Sequence, residues 1–360
     1  MIRHSATTFL LISAAFAAQA EEVRVYNWSD YIDEELLTQF TDETGIKVIY
    51  DVFDSNEVLE TKLLAGKTGY DIVTPSASFL SRQIAAGAFQ ELDKTQLENI
   101  GNAWDVVTAR TDVYDPGNAF SINYMWGTTG IGVNVDKVKA ALGDDAPISS
   151  LSLIFDPANM EKLAGCGVHM IDAPTEVLPA VLAYLGEEPA SKDPAVIGKA
   201  EGVMSAVRPH IQKFHSSEYI NALANGDICV AFGWSGDVFQ ARDRAAEAEN
   251  GVNIEYHIPA EGALMWFDQM AIPVDAPNPE NAHKFLDFLL RAEVAAAASN
   301  YTYYANGNKA SQEFLIEDVI GDTAVYPDDA TLDNLYTVTA HDPKVQRTVT
   351  RLWTKVKSGQ

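Results

Sequence analysis

Apolar and polar positions alternate from Glu22 to Asn27, the period of a half-buried strand. The period then changes. Ile32, Leu36, Leu37 and Phe40 recur at helical spacing until Gly45 stops the run. Ile46 to Phe53 is predicted as a second strand, and Ser55 opens a helix whose apolar stripe is Leu59, Leu63 and Leu64. Asp71 to Pro75 is a third strand, and Phe79 to Ala86 a third helix. Strand and helix alternating three times predict an α/β fold with a parallel sheet and helices on both faces.

The middle of the chain follows another pattern. Tyr124 to Val135 is apolar and punctuated by glycine, a crossing strand rather than a turn. A second strand–helix set follows: Gly167 to Ile171, a helix from Glu176 to Leu185, and Asp227 to Phe232. Asn253 to Ile258 and Met265 to Ile272 are two more strands. An amphipathic helix runs from Pro279 to Leu290, and the tail from Tyr326 to Gln360 ends in another. No internal repeat or Pro/Ser-rich linker interrupts the chain. Two lobes joined by extended crossings predict a hinge. The expected division is 21–125 plus 259–305 for lobe 1, and 126–258 plus 306–360 for lobe 2.

Ligands of open α/β sheets bind beyond the carboxyl ends of the strands. Trp28-Ser29-Asp30 stands just past the first strand, and Ser76 and Ser78 just past the third. In the second lobe Glu176 follows one strand, and Trp234 and Asp237 follow another. Trp266-Phe267-Asp268 repeats the pairing of tryptophan with acid. An indole face attracts a cation through its quadrupole, and a fixed carboxylate takes the cation's N–H groups. Together they suit an organic ammonium ion.

The first 20 residues read as an export signal: Arg3 and His4, an apolar core centred on Phe9 to Ile12, then Ala18-Gln19-Ala20. The rest of the chain is long enough for two domains. The whole chain's formal net charge of −26 argues against nucleic acid and anionic membrane surfaces, and is compatible with a cationic ligand. The two cysteines, Cys166 and Cys229, suit one disulfide in an oxidising compartment, with two buried thiols as the alternative. Two cysteines so far apart in the chain do not make a zinc site. Gly66-Lys67-Thr68 is not a phosphate loop, because position 61 is Thr61. Gly130-Ile131-Gly132 lacks a dinucleotide fingerprint's third glycine, and Gly233-Trp234-Ser235-Gly236 has the wrong spacing for a nucleophile elbow. No catalytic set, metal site or cofactor motif stands out, so an exported hydrolase is the weaker reading and a binding protein the stronger.

Several strings recur in an order that resembles one family. They are Tyr26-Asn27-Trp28-Ser29-Asp30-Tyr31, Pro75-Ser76-Ala77-Ser78-Phe79-Leu80, Tyr124 to Gly130, Phe214-His215-Ser216-Ser217, Gly233 to Asp237, Tyr303-Tyr304-Ala305-Asn306 and Trp353 to Gly359. Over essentially the whole exported chain they resemble the periplasmic polyamine-binding proteins of bacterial ABC importers, closest to the putrescine-binding branch. The resemblance implies a two-lobed, hinge-bending type II periplasmic binding fold, a monomer that works with an inner-membrane permease. It implies putrescine or spermidine in the cleft, with agmatine and cadaverine as alternatives. The implied contacts are Trp28, Ser29, Asp30, Ser76, Glu176, Trp234, Asp237, Trp266, Asp268 and Tyr304, with Tyr31 and Ser216 in support. Cys166 and Cys229 match the family's disulfide positions. Trp266 departs from the branch: putrescine binders often carry Phe there and spermidine-preferring relatives tend to carry Trp, which implies that both ligands bind.

Overall fold

The computed structural model describes residues 21–359, so the predicted export signal lies outside the described residues. Ten strands form one open sheet: β1 (Glu22–Trp28), β2 (Lys47–Phe53), β3 (Ile72–Val73), β4 (Ser121–Asn134), β5 (Val168–Met170), β6 (Lys213–Phe214), β7 (Val230–Trp234), β8 (Ile254–His257), β9 (Leu264–Ala271) and β10 (Ala305–Asn306). Their order is β2-β1-β3-β9-β4-β7-β5-β6, with β8 and β10 also paired to β4.

The parallel pairing expected from the alternating pattern holds at both ends of the sheet. β1 pairs parallel with β2 and β3, and β5 with β6 and β7. In the centre it fails. β9 runs antiparallel to β3 and β4, and β4 runs antiparallel to β7 and β8. The reason is chain path. β4 and β9 cross between the two halves in opposite senses, so each runs antiparallel to its neighbours there.

Local signals explain the flanking elements. The Asp33 side chain accepts from the Glu35 N–H at 2.9 Å and starts the Glu34–Thr44 helix. Gly45 ends it with φ of 73°, a left-handed conformation that glycine adopts without a Cβ penalty. The third helix begins at Ala77, two residues before the expected Phe79, with Ser76 at its cap position. β3 keeps only Ile72 and Val73 of the expected five residues. β1 and β7 run one and two residues further than expected, so Trp28 and Trp234 end strands rather than follow them.

The apolar residues segregate into two cores. One gathers Val23, Val25, Phe40, Leu59, Leu80 and Phe285, and the other Met170, Val181, Val230, Phe232 and Val349. The chain passes from one core to the other between Met125 and Trp126 in β4, between Phe267 and Met270 in β9, and between Tyr304 and Ala305. These crossings are neighbours: Trp126 lies opposite Phe267 on one side and Ala305 on the other. A β-bulge in β4 between Asn123 and Met125 sits beside them. The waist therefore includes three hydrogen-bonded strands, and the segment between Leu97 and Ile122 also crosses it, because Val107 and Tyr114 pack in the other core. Cys166 and Cys229 form a disulfide, which leaves the buried-thiol alternative aside. Among the described residues no helix is long and apolar enough to cross a membrane.

Candidate functional site

Between the two cores lies a cleft with about 490 Å³ of space between atoms, part of it open to solvent. From the first core's side Trp28, Ser29, Tyr31 and Ser76 line it. Glu176, Trp234 and Asp237 face them from the other side, and Trp266, Asp268 and Tyr304 come from the crossing segments. Every predicted contact residue except Asp30 is therefore brought to one place. Ser78 lines an adjoining hollow of about 380 Å³ on the far side of Trp266, Ser76 and Glu176.

The aromatic walls are held rigidly. Trp28 donates its indole N–H to the Thr74 carbonyl at 2.9 Å. Its ring packs 4.6 Å from Phe53 and meets Trp234 edge-on at 5.7 Å, which joins the two walls. Trp266 packs 5.2 Å from Tyr304. Gly127, opposite Trp266 across β4 and β9, is required there: a Cβ would come within 2.8 Å of the indole's Cζ2.

Three carboxylates face this cleft, Asp237 and Asp268 buried and Glu176 half-buried, each held by two side-chain donors. Asp268 accepts from the Ser76 hydroxyl at 2.6 Å and the Tyr31 phenol at 2.8 Å. Asp237 accepts from Tyr219 at 2.6 Å and Tyr304 at 2.7 Å. Glu176, in the first turn of the Pro174–Tyr184 helix, accepts from the Trp234 indole at 2.9 Å and from the Thr129 hydroxyl. Burial outweighs these donors and pushes the acids up, Asp268 and Glu176 to about 7 and Asp237 to about 6. No Lys or Arg stands among the lining residues. A buried anion without a partner is costly, so the cleft is built for a cation that supplies the missing charge.

Asp30 does not line the cleft. It sits in a left-handed turn, φ 54°, immediately after β1, and the turn throws its side chain outward. There it pairs with Arg244 at 2.9 Å, a contact from the Ser235–Glu247 helix across the cleft rim. Asp54 takes its place in the lining and accepts from Ser29 at 2.7 Å. Asp54 directly follows β2, so the strand-end rule that found Trp28 and Ser76 applied to it equally. Ser216 and Ser217 also line the cleft. Thr129 and Tyr219, which act on the acids, carry no local signal: one is mid-strand and the other in the first turn of a helix. Among the described residues no group of three or more His, Cys, Asp or Glu could hold a metal ion.

The family model for bacterial extracellular solute-binding proteins matches residues 35–332. The chain is 52% identical over 345 residues to the putrescine-binding periplasmic protein PotF of Escherichia coli K12, covering 96% of this chain and 93% of that one. It is 51% identical over 346 residues to the putrescine-binding periplasmic protein SpuD of Pseudomonas aeruginosa UCBPP-PA14, covering 96% and 94%. Among solved structures, the spermidine/putrescine ABC transporter substrate-binding protein PotD of Streptococcus pneumoniae superposes with a TM-score of 0.77. The sequence identity is 32%, over 94% of this chain and 99% of that one.

Proposed function

The chain belongs to the family of bacterial extracellular solute-binding proteins, and from that premise we propose that it captures polyamines in its cleft and delivers them to an ABC-importer permease. It has the two-lobed fold of that family and is a binding protein rather than an enzyme. Its periplasmic relatives imply a periplasmic location. The observation that carries the ligand assignment is the cleft's charge balance: two buried carboxylates and a half-buried third, tryptophan walls and no lining cation.

In this reading Trp28, Trp234 and Trp266 cover the methylene chain. Asp268, Asp237 and Glu176 take the ammonium ends, with Ser29, Tyr31, Ser76 and Tyr304 in support. The lobes in this reading are residues 21–125 with 259–305, and 126–258 with 306–360, although Met265 and Phe267 pack in the second core. A monomer binds ligand on one lobe, and bending at the waist brings the other lobe over it. Closure removes water, which strengthens the attraction between ammonium and carboxylate. The Asp30–Arg244 pair lies across the closed rim, and the closed form is the one that docks on the permease.

Calorimetric titration of putrescine, spermidine, cadaverine and agmatine at pH 8 tests the reading. Putrescine or spermidine is expected to bind most tightly. A neutral amino acid binding more tightly than every diamine and triamine overturns it.

A further inference from the structure

The Tyr219 phenol does not line the cleft, yet it touches two groups that do. Its ring is fully buried, and its hydroxyl donates to Asp237 Oδ2 at 2.6 Å. The same oxygen accepts from the Trp234 backbone N–H at 3.0 Å. One hydroxyl thus joins the carboxylate to the backbone of the aromatic wall, across the corner where β7 turns into the next helix. The ring is fixed by shape as well. It lies flat against Gly233, where a Cβ would come within 2.6 Å of Tyr219 Cζ.

The second donor to Asp237 has a different origin. Tyr304 donates to Oδ1 at 2.7 Å and accepts from the Asp237 N–H at 3.1 Å. Tyr219 belongs to the same apolar core as the strand that leads to Asp237, whereas Tyr304 belongs to the other core. Any motion that parts the cores carries Tyr219 along with Asp237. It is the donor that stays.

We propose that Tyr219 is a positioning residue for polyamine capture: it orients the Asp237 carboxylate and locks it to the Trp234 wall within one lobe, so that a preset anion meets the first ammonium group. The proposal rests on the polyamine reading of the cleft. It goes beyond that reading by assigning a role to a side chain that never touches the ligand.

The charges around Asp237 fit this role. Asp30 and Arg244 act on it from the rim, with opposite signs. Glu176 and the phenols of Tyr31 and Tyr304 face the same region. Burial, followed by the neighbouring Asp237 charge, pushes the Tyr219 phenol well above its ordinary value, so it remains a donor. Of the nearby groups, the two phenols bonded to Asp237 and Arg244 favour its ionised form, while burial and Asp30 oppose it.

The test is Tyr219→Phe, which keeps the ring against Gly233 and removes only the hydroxyl. Putrescine affinity at pH 8 is expected to fall about tenfold, the usual worth of one hydrogen bond to a charged group. The pH at which affinity is half-maximal is expected to rise, because the lost donor leaves the carboxylate harder to ionise. In an Asp237→Asn background the same change should cost less than twofold, because the carboxylate it positions is gone. If Tyr219→Phe does not fold, 3-fluorotyrosine at position 219 carries the test. Its more acidic hydroxyl is a stronger donor and should lower the half-maximal pH. An unmoved pH profile, or an equal loss in the Asp237→Asn background, overturns the proposal and leaves the polyamine reading intact. Wild-type protein that binds no amine sinks that reading first.

Discussion

Replacing Asp268 with asparagine separates binding from stability, because the two should change in opposite directions. Asp268 is 4% exposed and accepts from Ser76 and Tyr31. The amide has the same shape, and both hydroxyls can rotate to meet it, so the fold should persist. Binding is another matter. Breaking one partner of a buried ion pair costs about 3–5 kcal/mol, which is a loss of roughly 100- to 1,000-fold in affinity for putrescine. Without ligand the sign reverses. The Asp268 carboxyl is raised from 3.8 to about 7, so the folded protein holds that proton more tightly than the unfolded chain does. Its contribution to stability is complete below pH 3.8 and is lost as pH rises through about 7. By pH 8 that loss is on the order of 4 kcal/mol. The substituted amide never ionises, so ligand-free Asp268→Asn at pH 8 should melt several degrees above the wild type. Calorimetric titration and thermal unfolding at pH 8 read both effects. A mutant that binds putrescine within twofold of wild type, or that melts lower without ligand, refutes the reasoning.

Three further outcomes follow from the same geometry. Glu176 and Asp268 titrate near 7 and Asp237 near 6, so binding a cation should expel protons between about pH 6 and 7 and affinity should rise with pH through that range. Titrations in two buffers of different ionisation enthalpy would reveal it, and equal apparent enthalpies at pH 6.5 would contradict it. Trp266→Phe removes the indole that fills the space beside Gly127, and the ratio of putrescine to spermidine affinity should move toward putrescine by about tenfold, a ring-sized change in packing. Competition titration checks this, and an unchanged ratio removes Trp266 from the specificity argument. The Cys166–Cys229 bridge spans 63 residues of chain, so Cys166→Ser with Cys229→Ser should cost about 4 kcal/mol of stability in the chain-entropy model while leaving the affinity for putrescine intact. Denaturant unfolding measures the first and titration the second.

Much of the architecture was legible because hydrophobic periodicity is local. The β1–β2–β3 unit, its helices and the second strand–helix set all announce themselves in apolar spacing. The strand-end rule then pointed to Trp28, Ser76 and Trp234. What periodicity cannot carry is pairing. The antiparallel contacts of β4 and β9 depend on where distant segments meet, and the waist they form with β10 has no local signature. Asp30 shows a different limit. Its sequence context matches its neighbours, but one left-handed residue turns its side chain to Arg244 instead of the cleft. Tyr219 shows a third: it acts through a carboxylate 18 positions away on another helix, and nothing beside it in the chain marks that role.

The central claim is that the cleft holds a polyamine between carboxylates and tryptophan faces. A crystal structure of the protein grown with putrescine tests it most directly. One diamine is expected in the cleft, its nitrogens within hydrogen-bonding distance of Asp268 at one end and of Asp237 or Glu176 at the other, and its methylenes against Trp28, Trp234 and Trp266. Putrescine bound elsewhere, or lying in the cleft with neither nitrogen near a carboxylate, would contradict it.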